Sequence, residues 1–289
     1  MSTQARARAR GVALIAVLWL VAAMSLVISG VVQSVRSEMR TIGSYRQTVL
    51  ANAAGDAAIL MALQYLHGSQ QEPKNSIQVV PVQFEGQSYA VRIQPLNGLI
   101  DINHAPVTLL AQLYRHAGGL NPEAAQALAQ ATIVARDART SQGISHGFPH
   151  GFDAVEDLLK VPNMSYELYA KLPGLITAEL KEGSGRVNPL AAPLGVLQIL
   201  ADGNVPRAAM LAARRNTDPN AMDTSFFSPA HIETTTSRSL RLEVQIEPAD
   251  GGAMQRSWHV YWGTDPRSGL PWRVLSTEQS VHVAAQSQG

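Results

Sequence analysis

From Gly11 through Val35 the chain carries no charged side chain, while Arg6, Arg8 and Arg10 stand ahead of that run with no acid among residues 2–10. At ~1.5 Å per residue a helix over Val12–Val32 is about 31 Å long, the thickness of the ~30 Å hydrocarbon core of a bilayer. The first element is therefore expected to span a membrane. Arginines before the run and a long polar remainder after it place the N-terminus in the cytoplasm and the rest of the chain on the far side. That remainder is folded and not polytopic: of 289 residues 46% are hydrophobic and 16% charged, and the mean hydropathy is −0.01, which excludes both a disordered chain and a multi-span protein. Lysine and arginine (23) nearly equal aspartate and glutamate (22), so the net charge gives no support for broad nucleic-acid binding. No cysteine is present, and with it go disulfides and thiolate metal sites.

A secretory signal peptide would have an apolar core of about 7 to 15 residues followed by small residues. Ala22-Ala23-Met24-Ser25 is a weak match. The helical pattern nevertheless continues, with Met39, Ile42, Leu50, Ala54, Ala57, Leu60, Met61 and Leu66 recurring at helical spacing until His67-Gly68 supplies a stop. The expectation is one helix over residues 12–66, roughly 80 Å long, with only its first part (about 12–33) in lipid.

Strand alternation follows. Ile77, Val79 and Pro81 with Phe84, the turn Glu85-Gly86-Gln87-Ser88, then Tyr89, Val91 and Ile93 predict a hairpin within residues 76–98. From Pro106 to about Leu200 the apolar period changes to three and four. Pro106 opens one helix and Asn121-Pro122-Glu123 caps a second; Asp153 with Glu156 predicts a capping box, and Ser165 with Glu167 begins a fourth helix. Asn103-Ala105-Pro106 is echoed by Asn188-Ala192-Pro193, both asparagines reading as local turn formers. After a short helix over Pro206–Arg215 and a polar stretch, strands return around Leu240–Ile246, Trp258–Trp262 and Trp272–Leu275, the first two joined by the turn Pro248–Gly252.

This order, a long helix with an apolar first half, strands, a large helical insertion and strands again, resembles the K-type minor pseudopilin family of type II secretion. The residues that carry the resemblance are the Arg10-Gly11-Val12 junction, the Gly98–Pro106 segment, Val187-Asn188-Pro189 and the closing Trp272–Ser276. The resemblance implies an α+β pilin-like fold: a prepilin leader (1–11), the long helix, first head strands (76–98), an inserted α-helical domain of helix-hairpin-helix or SAM-like type (99–215), a loop and closing strands (216–278) and a tail (279–289). It implies cleavage after Gly11 by a prepilin peptidase and methylation of Val12 as the new N-terminus. Most pilins carry Glu at the fifth mature position; here it is Ala16. A carboxylate in hydrocarbon costs at least ~2.5 kcal/mol and persists only beside a compensating partner, so a subunit with no neighbour ahead of it needs none. The implied role is to cap the pseudopilus tip and help start its assembly, with I- and J-type minor pseudopilins as partners, in the bacterial inner membrane with a periplasmic head. An uncleaved signal anchor remains the plain alternative for residues 1–35.

A rival reading is a membrane-anchored periplasmic DNA-uptake module, because Asp101–Pro106 and Phe152–Leu159 are similar to helix-hairpin-helix domains. Phosphate binding needs glycine-rich hairpins beside basic residues. The second hairpin, Val161–Ser165, has no glycine, and Gly118-Gly119 has no basic neighbour after it. Between Leu99 and Leu180 five basic residues face eight acids, a net of 5 − 8 = −3, the wrong sign for a nucleic-acid surface. No enzyme motif is present, and no cofactor is expected. His146–His150 with Asp153 is broken by Gly147 and Pro149 as a metal site. Asp218, Asn220 and Asp223 offer oxygen donors but lack the rest of an EF-hand; calcium stays open because the superfamily's heads can bind it. Trp258, Trp262 and Trp272 read as sheet core or as an aromatic partner patch.

Overall fold

The computed structural model describes residues 3–69, 72–141, 151–180, 183–218, 222–247 and 252–283. The chain divides into two compact units, residues 1–53 and 54–289. Helix α1 (Thr3–Gly68) provides the described part of the first unit and opens the second. In the first unit Val17, Leu18, Trp19, Leu20, Val21, Met24 and Ile28 are all exposed. Ser25, a polar residue inside this apolar run, donates its hydroxyl to the Val21 carbonyl at 2.8 Å. Such back-bonding satisfies the hydroxyl within the helix itself.

The second unit contains a five-stranded antiparallel sheet in the order β1-β2-β5-β6-β7, built from β1 (Gln78–Phe84), β2 (Gln87–Pro95), β5 (Ser239–Ile246), β6 (Ala253–Trp262) and β7 (Trp272–Val283). Glu85 and Gly86 both have positive φ, 49° and 76°, the conformation that lets a two-residue turn follow the twist of the paired strands. The expected hairpin is there, but its first strand faces the other way. Val80 and Val82 are buried, whereas Val79 is 58% exposed. Val79-Val80-Pro81-Val82 is apolar on both parities, so alternation alone does not choose a face. Pairing of Val80 with Val91 and Val82 with Tyr89 does. Pro81, which has no N–H to give, lies on the edge strand, where proline is tolerated.

The buried face of α1 is also rotated from the expected one. Ala58, Ile59, Ala62, Leu63 and Leu66 are buried, while Met39, Ile42 and Leu50 are exposed and Leu60 is 39% exposed. Small residues explain the choice: a Cβ at Gly55 would lie 2.8 Å from Cβ of Arg256, so the helix turns its slimmest edge toward β6. The stretch Tyr45–Gly68 is long and apolar enough to span a membrane, with mean hydropathy 1.4, but this buried row identifies it as the core helix of the head.

Residues 96–238 lie between two strands that are sheet neighbours. They form α2 (Val107–His116), α3 (Pro122–Ser141), a 3-10 turn (Val155–Lys160), α4 (Tyr166–Tyr169), α5 (Leu194–Leu200) and α6 (Val205–Thr217), with a short parallel pair, β3 (Ile100–Asp101) and β4 (Ile176–Thr177). This block has its own core, centred on Leu109, Leu110, Leu113, Leu158, Leu197 and Leu211. It extends beyond the expected limit of residue 215, since Met222, Phe227 and Ile232 pack into it and Val187 bridges to Ile232. Pro106 and Pro193 stand at the N-caps of α2 and α5, and the Asn121 and Ser165 side chains accept from Ala124 and Leu168 N–H. The capping expected at Asp153 falls elsewhere: the Asp157 carboxylate accepts from Asp153 and Ala154 N–H, because the turn is a 3-10 helix starting at Val155. β7 continues to Val283, into the segment expected to be a tail. The register shift between His259 and Val260, which pair with Ser276 and Val274, makes Leu275 the extra residue of a bulge.

Candidate functional site

Two polar constellations tie separate parts of the second unit together. The first fastens α1 to the sheet. Asp56, one residue after Gly55, accepts from Arg256 Nε at 2.6 Å and Nη2 at 3.2 Å, and from the Trp258 indole N–H at 2.8 Å. Arg256 also donates to the Glu278 carbonyl on β7. The carboxylate thus meets a planar fork plus an indole donor, a geometry that fixes helix rotation as well as attraction.

The second lines a cleft of about 510 Å³ between the helical block and strands β5–β7. Glu179, just after β4, reaches His259 Nδ1 on β6 at 2.6 Å and accepts the Ser276 hydroxyl of β7 at 2.8 Å. Arg241 lies between Glu243 (2.9 Å) and Glu278 (3.4 Å). Burial pushes the Glu179 carboxyl up, but the hydrogen bond and charge of His259, with Ser276 and Arg241, more than offset it and hold the carboxyl below the ordinary range. Ser276, His259 and Glu278 have the residue types of a nucleophile, base and orienting acid. Their wiring differs from that arrangement: Ser276 gives its proton to Glu179 at 2.8 Å, and His259 Nδ1, 3.2 Å from the Ser276 hydroxyl, also lies 2.6 Å from the same carboxylate. The cleft joins the helical block to the sheet, and in it the Ser276 hydroxyl is held by Glu179.

Gly11, Val12 and Ala16 all lie within α1. The His146–His150 loop and Asn220 lie outside the described residues. Asp223 accepts from Ser225 N–H at 2.9 Å, and among the described residues no group of three or more histidine or acidic side chains is arranged to hold a metal ion. Trp258 and Trp272 are buried, and Trp262 stacks on Trp272 with ring centroids 6.4 Å apart, so the group belongs to the packing of the sheet. Asn103 is not a local turn former: its amide donates to Phe152 O (3.0 Å) and Ala178 O (3.2 Å) and its oxygen accepts from Phe152 N–H (2.7 Å). The local turn is made by Asp101, which accepts from Asn103 N–H. Asn188 does both, bonding Leu190 N–H nearby and the distant Asn75 carbonyl. At the glycine hairpin, Gly118 and Gly119 N–H already donate to Leu113 and Arg115 carbonyls, and Lys171 is tied to Gly118 O, which leaves no phosphate cradle there. Asp56, Arg256, Glu179 and His259 escaped the sequence reading. A lone acid within the apolar Val49–Leu66 stretch was a visible signal for Asp56; its partners stand 200 residues away.

A long N-terminal helix, apolar enough in part to span a membrane, followed by an antiparallel sheet packed on its end is a pilin-like fold. The chain matches a solved structure of that architecture, the GspK-GspI-GspJ complex from the enterotoxigenic Escherichia coli type 2 secretion system, with TM-score 0.52 and 14% identity over 85% of this chain and 100% of that one. This likeness shows the fold of a pseudopilin subunit. No family model and no curated protein matches the chain.

Proposed function

We propose that the chain is a K-type minor pseudopilin of a type II secretion system, placed at the tip of the periplasmic pseudopilus and acting at the start of its assembly. The observation that carries this reading is the helical block of residues 96–238 inserted between adjacent strands of a pilin-like sheet, in a chain whose fold matches a subunit of the GspK-GspI-GspJ complex. A block with its own core adds bulk that a repeated shaft position would have to accommodate at every copy, whereas a tip position accommodates it once. The block is the counterpart of the helix-hairpin-helix or SAM-like domain that the resemblance implies.

In this reading a prepilin peptidase cuts after Gly11, Val12 becomes a methylated N-terminus, and the Val12–Val32 helix stays in the inner membrane with the head in the periplasm. The exposed Val17–Met24 side chains then meet lipid or the helices of I- and J-type minor pseudopilins and other pseudopilins, where the small Ala22, Ala23 and Ser25 permit close approach. Ala16 leaves the fifth mature position without a carboxylate, as suits a subunit with no neighbour ahead. The test is mass spectrometry of the protein extracted from membranes. A terminus at methylated Val12 supports the reading; an intact Met1 or a terminus near Ser25 refutes it. Co-purification of the full chain with I- and J-type subunits tests the partners.

A further inference from the structure

Beside the pairing of β1 and β2, against the helical block, lies a cavity of about 280 Å³ whose polar lining consists of Ser76, Arg92, Arg215 and Asn216. Every one of them can donate a hydrogen bond, and no carboxylate lines the cavity. Arg215 is 6% exposed. The Pro189 and Ala192 carbonyls and the Asn216 side-chain oxygen accept from it, which leaves one N–H of its fork over. Carbonyl dipoles satisfy donors without cancelling the charge, and among the described residues no acid pairs with this guanidinium. Burial and the charge of Arg92 both push the Arg215 pKa down, the signature of a cation without a counter-ion.

The other donors are free as well. Ser76 is 6% exposed, and its hydroxyl lines the cavity without a hydrogen bond to another described residue. Asn216, an exposed residue on the cavity rim, uses its side-chain oxygen on Arg215, which leaves its amide N–H groups for water or a ligand. Arg92 lies 4.0 Å from Glu243, a carboxylate already shared with Arg241 at 2.9 Å and Gln255 at 3.2 Å. Across this face Arg92, Arg241 and Arg215 match Glu243, Glu278 and Glu179 in charge, but none of those carboxylates lines the cavity or pairs with Arg215. A carboxylate placed between the one remaining Arg215 N–H, Arg92 and the Ser76 hydroxyl would find donors for both oxygens.

We propose that this cavity binds a carboxylate, held by Arg92 and the remaining Arg215 donor on one side and by Ser76 and Asn216 on the other. Arg92, with its side chain 41% exposed, forms the entrance, so the carboxylate enters from solvent, either as a free small acid or at the end of an acidic side chain of a docked protein. The proposal does not depend on the pseudopilin reading.

The test uses the full chain in detergent and ligand-observed NMR with carbon-13 acetate, with acetamide as the uncharged isostere. Saturable acetate binding, absent for acetamide and weakened about tenfold in Arg92→Gln by loss of a charge-assisted contact, supports the site. Ser76→Ala, which removes a hydroxyl that bonds nothing else, weakens acetate binding without lowering the thermal midpoint. No saturable acetate binding, equal binding of acetamide, or undiminished binding in both variants overturns the proposal. The source is read from a second arm, association with I- and J-type subunits in acetate against chloride at equal ionic strength. Competition by acetate identifies a protein-borne carboxylate, and unaltered association a free one. Failure of those subunits to associate at all counts against the proposed function and leaves the acetate result to decide the site.

Discussion

Replacing Asp56 by alanine removes, in one step, the carboxylate that holds α1 against β6. The Arg256 side chain is 11% exposed and the Asp56 side chain 33%. Stripping one partner from a buried ion pair costs ~3–5 kcal/mol. Two features lower that figure here: Asp56 is partly wet, and Arg256 retains the Glu278 carbonyl, so the stranded guanidinium keeps one partner and about 2 kcal/mol remains. The Trp258 indole N–H, with Trp258 itself 9% exposed, loses its acceptor as well, which adds about 1 kcal/mol. The expected loss is about 3 kcal/mol, a fall in melting temperature of roughly 6–12 °C for a body of this size.

Asp56→Asn separates the two parts. It keeps an oxygen for Trp258 and loses the charge, so its expected cost is about 2 kcal/mol. Urea unfolding of the full chain in detergent, followed by tryptophan emission, measures both, because Trp258, Trp262 and Trp272 all report on the sheet. A double-mutant cycle with Arg256→Gln should return a coupling of at least about 1 kcal/mol. If Asp56→Ala unfolds within about 0.5 kcal/mol of the parent, or if the cycle shows no coupling, the anchor is not what holds the helix.

Three further outcomes can be checked by similar means. Glu179 has its folded pKa lowered from 4.5, so its contribution is present above that value and lost as pH falls through the folded pKa; His104, raised from 6.5 by its hydrogen bond to Asp101, contributes below 6.5 and loses that as pH rises through its folded pKa. Melting temperature against pH should therefore fall at both ends, Glu179→Gln flattening only the acid limb and His104→Gln only the alkaline one. Gly98→Ala drives a methyl group into the Ala191 carbonyl and should cost about 1–3 kcal/mol by urea titration, where an exposed glycine such as Gly86 would not show this steric penalty. Asn103→Ala removes the three hydrogen bonds that its side chain makes to Phe152 N–H, Phe152 O and Ala178 O and should cost about 1–3 kcal/mol by urea titration.

What was legible in the sequence was what depends on local period and local chemistry. The charge-free run, the Gly68 stop, the Glu85-Gly86 turn and the caps at Asn121 and Ser165 are fixed by neighbours within four residues, and they are where the sequence put them. What was not legible is set by contacts across the chain. The rotation of α1 depends on Gly55 meeting Arg256, and Ala57 or Leu60 would have served equally well by hydrophobicity alone. The parity of β1 depends on its register with β2, since valines occupy both faces. Asn103 and Asn188 carry a turn-former's side chain, and only the fold reveals that their amides reach carbonyls 49 to 113 residues away. The polar constellations are harder still, because a histidine and a glutamate 80 residues apart in sequence have no pattern until β4 and β6 are brought together.

Those long-range amides also explain how a sheet tolerates so large an interruption. Pro95 and Leu240 are Cα partners in the β2–β5 ladder, so the chain leaves and re-enters the sheet at adjacent positions. Closing a long loop costs little more than closing a short one, because the penalty grows only with the logarithm of its length. What must be held is the neck, and it is held by polar side chains. Gln94 donates to Ala191 O, Asn97 to Thr235 O, Asn188 to Asn75 O and Asn75 to Thr234 O, while Asn188 N–H meets Asn97 O at 2.7 Å. These donors join the segment before β1, the end of β2, the loop before α5 and the approach to β5 within a few residues of the exit point. A neck closed by apolar contact alone could slide, since such contacts have no direction. Hydrogen bonds between amides and carbonyls have one geometry, and the buried one from Gln94 to Ala191 O is costly to leave unmade. The helical block is therefore fixed in orientation on the sheet, with Glu179–His259 as a second fastening on the far side of the same junction.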